Sequence, residues 1–409
     1  MQLILLIIAL IVYLFILFNR KIPLTSFYFL FGLEWLYYWI FPYLVTTNAP
    51  DISLFKSIPL LFNGTCTFYF FVFNALSLLI FCLVYLLFYK NKHRVDPDMG
   101  FRNNYHRFLF PAIIILSVII IILAIIFPYS KGLSFIYDVI SNIRIFFFAM
   151  FILFMICEPD KRKVVFVFLV YCAATFIYGS RIHMVMVAIS LFFYLLGNKY
   201  INKKTAIVLV MLVILLISAT AVRRMGTNYN YSPVSLLWSL STESINSSYP
   251  LLQVINLWQN NEIKYYTIFS NYIVDPIISF VPQPVFMLTG EGKYTYNTLG
   301  AWREAHGGGI APWGAFYYLA EAFISLSYYG IIIVSIMLGL LGSYMDSISR
   351  KGNLMRQFMC YNFIGVFGSF FIKTEFFLVG KIFILSTIFA IVILLAINGL
   401  SIIGKRQLR

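Results

Sequence analysis

Long uninterrupted runs of apolar residues dominate this sequence and constrain its fold more than any other feature. Most runs are roughly 17–25 residues long, the length of an α-helix that crosses the hydrocarbon core of a bilayer. Only 11% of the 409 residues are charged, whereas about 25% are charged in a typical soluble domain. Because a membrane-spanning segment must satisfy its own backbone polar groups, as a helix does, the sequence predicts an all-α, polytopic transmembrane helical bundle.

The positions of the apolar runs predict about 11 membrane spans and one long connection. The spans lie at residues 3–18, 25–46, 67–89, 108–127, 134–157, 164–178, 182–197, 205–222, 313–342, 357–372 and 376–400. The long connection contains two helix-like stretches, SLLWSLSTESINSSYPLLQVINLW and YYTIFSNYIVDPIISF, and connections of such length are usually functional. The predicted organisation is a bundle over 1–222, a large, partly helical extracytoplasmic loop over 223–312, and a second bundle over 313–409, acting together as one functional domain.

Basic residues concentrate in alternate short connections and thereby predict the topology. Nineteen of the 30 Lys and Arg residues are found there: Arg20, Lys21, Lys90, Lys92, Arg94, Arg102, Arg107, Lys161, Arg162, Lys163, Lys199, Lys203, Lys204, Arg350, Lys351, Arg356, Lys405, Arg406 and Arg409. By the positive-inside rule these connections face the cytoplasm, which places the N-terminus and the large loop on the opposite, outer side of the membrane. The net charge of +15 then reflects topology and contact with anionic membrane lipid, with no implication of nucleic acid.

Five arginines lie near the predicted outer face, against the trend of the charge pattern. They are Arg144, Arg181, Arg223, Arg224 and Arg303. The guanidinium group presents a rigid fork of donors that suits phosphate, so several of them at the membrane edge would hold a lipid-linked pyrophosphate. The alternative is that each side chain merely extends to the interface. Lysine would serve that purpose and membrane-edge charge is costly, so function is favoured for Arg181 and for the Arg223–Arg224 pair.

Acid–base chemistry has three candidates near the end of the large loop. Glu321 lies inside the predicted span 313–342, where a buried carboxylate can serve as a general base or pair with an arginine; for Glu375, by contrast, pairing is the favoured interpretation. His306 is a candidate by side-chain type, and Glu304 lies in the same AWREAHGGG segment. The glycines that follow, including Gly308 and Gly309, have backbone N–H groups that can cradle an anion.

Metal and cofactor sites are not predicted. The only Asp-x-Asp motif, Asp96–Pro97–Asp98, lies in a predicted cytoplasmic connection, so a metal-bound nucleotide-sugar site on the outer face is not expected. The five cysteines show no CxxC spacing, which argues against a zinc site and against a disulfide framework.

Three segments resemble bacterial O-antigen polymerases, which polymerise oligosaccharide repeat units. They are YGSRIHMVMVAISLFFYLL, AVRRMGTNY and GEGKYTYNTLGAWREAHGGGIAPWGAFYYLAEAFISLSYYG. The resemblance implies a membrane glycosyltransferase with one large outer loop in its C-terminal half and with polyprenyl-diphosphate-linked oligosaccharides as substrates. It carries the family's arginine-rich character onto Arg181, Arg223, Arg224 and Arg303, and its glycine–proline–glutamate segment onto Gly308, Gly309, Pro312 and Glu321.

The leading hypothesis is polymerisation of lipid-linked repeat units into a surface polysaccharide (O-antigen, capsule or exopolysaccharide) at the outer face of the plasma membrane. A chain-length regulator and a flippase are the expected partner proteins. An O-antigen ligase is one alternative, since it has the same layout of spans and outer loop but transfers a finished glycan to another acceptor. A flippase or transporter for the same lipid-linked sugar is the other, although transporters often consist of two similar halves and none are evident in this sequence.

Overall fold

The computed structural model describes residues 2–48, 64–90, 105–127, 134–178, 182–202, 205, 233–281, 298–306, 310, 316–348, 353–370 and 375–407. These ranges contain 13 α-helices and no strand, which confirms the all-α prediction. The helices before residue 206 are α1 (Gln2–Asn19), α2 (Phe27–Asn48), α3 (Gly64–Phe88), α4 (Tyr105–Ile126), α5 (Ser134–Cys157), α6 (Lys161–Tyr178) and α7 (Ile182–Gly197). Those after residue 232 are α8 (Pro233–Gln259), α9 (Ser270–Phe280), α10 (Thr298–Ala305), α11 (Tyr318–Ile348), α12 (Leu354–Phe370) and α13 (Phe376–Gln407).

Five of the described helices are long and apolar enough to cross a membrane. The candidate spans are Thr65–Phe88, Tyr105–Ile126, Val139–Cys157, Tyr318–Ile348 and Phe376–Gly399, and two shorter apolar helices, Ile4–Asn19 and His183–Gly197, accompany them. The protein is therefore a multi-pass membrane protein. The total of about 11 spans stays a prediction, since residues 206–222 of the predicted span 205–222 lie outside the described ranges.

The chain forms two compact units, each assembled from separate stretches of sequence. The first unit comprises residues 1–91, 231–347 and 370–381, and the second comprises 92–230, 348–369 and 382–409. In the second unit α5 is the central helix, since 72% of its apolar window is buried against 28% for α4. The exposed isoleucines of α4, such as Ile115, Ile119 and Ile122, have the character of a surface that faces lipid. The predicted division at residues 222 and 312 stays a prediction.

Helix α8, in the predicted large loop, packs against α2 and α3 in the first unit. The hydroxyl of Ser248 donates a hydrogen bond of 2.6 Å to the carbonyl oxygen of Tyr38. The ring of Trp258 meets Tyr69 of α3 edge to face, with 5.1 Å between ring centroids. The helix-like stretch predicted at the start of the loop is thus a helix, and it is part of the bundle's packing.

A buried carboxylate joins α11 to α2 and α3 at one end of the first unit. Asp346, which is 3% exposed, accepts hydrogen bonds from the backbone N–H of Phe27 at 2.8 Å and from the hydroxyl of Tyr85 at 2.6 Å. A carboxylate at the first turn of a helix satisfies N–H groups that have no partner within the helix. Residues 27 and 346 consequently lie at the same end of the unit, as the charge pattern of the flanking connections requires.

Helix α11 contains a sharp turn inside the single span predicted at 313–342. Leu326 and Ser327 have non-helical backbone angles, and Ser327 has a φ of 54°. The hydroxyl of Ser77 contacts both the Tyr318 hydroxyl at 2.8 Å and the Ser335 hydroxyl at 2.7 Å, although these two residues would be about 25 Å apart in a straight helix. Residues 318–325 therefore fold back beside the following residues.

The two parts of α11 have different roles. Residues 328–348, here called the spanning segment, have about the 20 residues that cross a bilayer core. Residues 318–325, here called the re-entrant segment, are too short to cross it, and all of them are buried. Membrane proteins tolerate such an interruption where the surrounding protein covers the backbone.

Gly330 makes the turn possible because it has no side chain. We therefore expect Gly330→Ala to be severely destabilising. A Cβ at this position would overlap the backbone carbonyl of Ala322 in the re-entrant segment, and overpacking costs about 1–3 kcal/mol or more. Gly380→Ala is the matched control, because a Cβ there meets nothing within 4 Å and alanine favours a helix. Thermal unfolding of the detergent-purified variants should show a lowered midpoint for Gly330→Ala only. Equal midpoints would refute the tight turn.

Candidate active site

The carboxylate of Glu321 lies at the centre of a buried polar network in the first unit. Glu321 is 1% exposed and lies in the re-entrant segment. Its Oε1 accepts a hydrogen bond from Asn271 Nδ2 at 3.1 Å, and its Oε2 accepts one from the backbone N–H of Phe376 at 2.8 Å. Residues from α9, α11 and α13 thus determine where each carboxylate oxygen points.

Asn271 is oriented by two hydroxyl groups. Its Oδ1 accepts a hydrogen bond from Thr267 Oγ1 at 2.6 Å and lies 3.0 Å from Ser325 Oγ, whose single proton is shared with the carbonyl oxygen of Glu321 at 2.8 Å. Because an amide oxygen only accepts and an amide nitrogen only donates, these contacts turn the NH₂ group towards Glu321. The side chain of Asn271 is completely buried, so its orientation depends on these partners.

The turn in α11 also positions the segment that carries Thr267. The carbonyl oxygens of Ile324 and Ser325 accept hydrogen bonds from the N–H groups of Thr267 at 3.1 Å and Ile268 at 2.9 Å. Helix α9 begins two residues later and places Asn271 beside Glu321. The carbonyl groups that the turn leaves without partners in α11 therefore hold residues 267–268, directly before α9.

An ion pair links Arg303 to the residue next to Phe376. The Arg303 guanidinium forms a salt bridge with Glu375, which confirms the pairing expected for Glu375, and it lies 4.7 Å from the centre of the Phe316 ring. Since the adjacent residue, Phe376, donates its N–H to Glu321, the same short stretch contacts both charged side chains. The positive charge of Arg303 acts electrostatically on Glu321.

Asp275 positions the helix that carries Arg303. Its Oδ1 accepts from the Thr298 N–H at 2.7 Å and its Oδ2 from the Leu299 N–H at 3.1 Å, at the N-terminus of α10. Burial raises the pKa of this carboxyl above its ordinary value, and the two backbone hydrogen bonds and the charge of Arg303 oppose that shift only in part. Asp275 and Asn271 are not among the site residues predicted from the sequence. Their signal was a polar residue every fourth position, Asn271, Asp275 and Ser279, in an apolar stretch.

Tyr272 provides a further polar group next to the carboxylate. Burial and the negative charge of Glu321 raise the pKa of its hydroxyl well above the ordinary tyrosine value, so the group remains a donor. Its ring packs against Phe376, with 4.9 Å between centroids. Within the described part of the chain, the buried Tyr272 hydroxyl has no hydrogen-bond partner.

His306 and Glu304, the other predicted acid–base residues, are placed differently from Glu321. The His306 Nε2 accepts from the Lys264 N–H at 2.9 Å, Nδ1 lies 2.7 Å from the Trp302 carbonyl oxygen, and the ring stacks on the Trp302 indole. Both ring nitrogens therefore have backbone partners, which hold the end of α10 against residue 264. Glu304 is exposed.

Arg144 lies in the second unit, where it is 1% exposed. It is close enough to Tyr171 and His183 to affect both electrostatically. The remaining predicted binding residues, Arg181, Arg223, Arg224, Gly308 and Gly309, lie outside the described residues. Within the described ranges no three His, Cys, Asp or Glu side chains cluster as a metal site.

The network predicts a particular pH dependence of stability. A carboxyl whose folded pKa is raised binds more protons in the native state than in the unfolded state, so its contribution to stability falls as the pH rises from its unfolded pKa to its folded pKa. Asp275→Asn removes this titration and retains one acceptor for α10. Across this window, the thermal unfolding midpoint of wild type should fall with rising pH relative to the midpoint of Asp275→Asn. Parallel pH profiles would contradict the prediction, and Glu262→Gln, at an exposed residue, is the control.

Comparison with known families agrees with the resemblance found in the sequence. The profile of the family described as O-antigen polysaccharide polymerase Wzy matches residues 1–402, nearly the whole chain, and therefore includes every residue of the Glu321 network. No curated protein and no solved structure matches the chain. The match favours polymerisation over the ligase and flippase alternatives. The chain belongs to the O-antigen polysaccharide polymerase Wzy family, whose members act on lipid-linked oligosaccharide repeat units and polymerise them into O-antigen.

Proposed function

We propose that this polymerase uses Glu321 as its acid–base residue and that its donor is a growing glycan on a polyprenyl diphosphate. The acceptor is a hydroxyl group at the non-reducing end of a single lipid-linked repeat unit, and the reaction takes place at the outer face of the bacterial inner membrane. The observation that supports this assignment is the buried Glu321 carboxylate, whose two oxygens are oriented by Asn271 and by the Phe376 N–H.

The reaction forms one glycosidic bond and breaks one bond to phosphate. The acceptor oxygen attacks the anomeric carbon of the donor sugar, its proton passes to Glu321, and the polyprenyl diphosphate leaves with the bonding electron pair. The partners of Glu321 are N–H donors, which do not compete with the carboxylate for this proton, and each carboxylate oxygen keeps a further lone pair. A positioned base of this kind typically contributes about 10²–10⁴-fold to the rate.

Arginine side chains stabilise the leaving diphosphate in this proposal. Preorganised positive charge is most effective where negative charge develops in the transition state. This role is assigned to Arg181, Arg223, Arg224 and Arg144, together with the backbone of Gly308 and Gly309. Arg303, which is paired with Glu375, contributes positive charge close to Glu321.

None of these steps uses a metal ion, so purified protein should polymerise repeat units in EDTA. A chain-length regulator and a flippase act as partners.

Glu321→Gln should abolish polymerisation without unfolding the protein. Glutamine has nearly the same shape, and its amide oxygen can still accept one hydrogen bond, but it does not accept a proton at neutral pH. Turnover of lipid-linked repeat units should fall about 10²–10⁴-fold, and the variant should remain in the membrane at wild-type abundance. Glu262→Gln, at an exposed position, is the matched control and should polymerise normally. A fully active Glu321→Gln variant would exclude Glu321 as the base.

Lysine substitutions separate a pyrophosphate clamp from simple anchoring at the interface. If Arg181 and Arg224 bind pyrophosphate, lysine retains the charge but loses the bidentate fork. Losing a charge-assisted bond of about 1.5–3 kcal/mol slows turnover roughly tenfold to a hundredfold. Arg181→Lys and Arg224→Lys should therefore reduce the surface glycan to single repeat units. Arg350→Lys, in a predicted cytoplasmic connection, should leave glycan length unchanged. Normal glycan length in both outer-face variants would refute the clamp.

A further inference from the structure

Helix α9 has its polar and apolar faces reversed relative to a helix of a soluble protein. Asn271, Asp275 and Ser279 are at most 3% exposed, and they follow one another at intervals of four residues on one face. The opposite side is apolar and exposed, with Ile273 at 64% and Ile277 at 63%. If such a helix lay in water, burying its polar face would cost free energy and its apolar face would be exposed to solvent.

The environment of α9 can be inferred from its attachment to α11. Ile268, just before α9, donates its N–H to Ser325 at the turn, and Asn271 binds Glu321 in the re-entrant segment. The turn is also where the spanning segment begins. Because that segment has about the 20 residues of a complete bilayer crossing, its first residues lie at a boundary of the hydrocarbon core, and α9 lies at the same level.

Exposed side chains at the turn extend the apolar surface of α9 to that of the spanning segment. Ile268 is 73% exposed, and Tyr328 and Tyr329, which follow the turn directly, are 41% and 53% exposed. Tyrosine is enriched at membrane–water interfaces. Further along the spanning segment the exposed residues are apolar, as in Met337 at 47%, and face lipid in a multi-pass membrane protein. The surface of α9 is thus continuous with a lipid-facing surface.

We infer that α9 is an interfacial helix whose apolar face, formed by Ile273, Val274 and Ile277, contacts the acyl chains of the bilayer. Its polar face forms one wall of the Glu321 network, so a single helix separates the carboxylate from membrane lipid. Part of the predicted extracytoplasmic loop over 223–312, the stretch that contains α9, therefore lies at the membrane surface. It concerns the depth of the helix in the membrane and does not depend on the catalytic role of Glu321.

Fluorescence quenching tests the inference directly. Single cysteines replace Ile273 and Ile277 in the full-length protein, whose five native cysteines are all buried. Each variant is labelled with a bimane fluorophore and reconstituted into phosphatidylcholine vesicles, with or without bromine atoms on the acyl chains. Ile115→Cys, at a position 61% exposed on the candidate span α4, reports lipid. Glu262→Cys, in the exposed turn after α8, reports water.

The bromine-labelled lipid should quench the probes at 273 and 277 as strongly as the probe at 115, and aqueous iodide should quench only the probe at 262. Strong quenching by iodide at 273 and 277 would place α9 in water and overturn the inference. Quenching by neither agent would mean that protein covers this face, whether from the same chain or from a second copy, and would also overturn it. None of these readouts requires activity, so failure here leaves the Glu321 assignment to its own test.

Discussion

The hydrogen bonds between the turn of α11 and residues 267–268 are the interactions on which the rest of the candidate site depends. A turn inside a membrane helix releases carbonyl oxygens, and each unsatisfied group in a water-poor environment costs several kcal/mol. Here Ile324 and Ser325 accept from the N–H groups of Thr267 and Ile268. The requirement to satisfy the backbone therefore also brings a distant stretch of chain to the re-entrant segment, and α9 follows it.

The polar groups of the site are connected through neighbouring residues. Asp275 holds the N-terminus of α10, α10 carries Arg303, and Arg303 pairs with Glu375. The next residue, Phe376, donates its N–H to Glu321. Charge of both signs is thus placed near the buried Glu321 carboxylate, which the hydrogen bonds orient. Such networks are sensitive to the loss of any member, because the remaining partners stay buried and unpaired.

The reversed amphipathicity of α9 matches the nature of the substrates of this family. A lipid-linked repeat unit has a glycan that belongs in water and a hydrocarbon chain that belongs in the bilayer. A carboxylate at the boundary of the hydrocarbon core, with a lipid-facing helix as one wall, lies at the depth where these two parts of such a molecule meet. The proposed role of Glu321 and the inferred placement of α9 are consistent on this point, and the hydrogen bond from Asn271 to Glu321 enters both.

The sequence by itself determined the helical class, the multi-pass membrane character and the family. Apolar runs of bilayer length and the resemblance of three segments to a known family are local properties, and local properties can be read along the chain. The prediction of a single span at 313–342 did not include the turn, because the break at Leu326 and Ser327 has no proline and depends on Gly330 accepting the close approach of Ala322.

Only the tertiary structure decided which polar residues serve the carboxylate. Asn271 and Phe376 are far from Glu321 in sequence, and His306, attractive by residue type, has both ring nitrogens bonded to the backbone. The spacing of Asn271, Asp275 and Ser279 was visible along the chain, but the direction of that polar face was not. Helical periodicity shows that the two faces of α9 differ. Which face is buried depends on what the fold places beside it, and here the polar face lies against the buried Glu321 carboxylate.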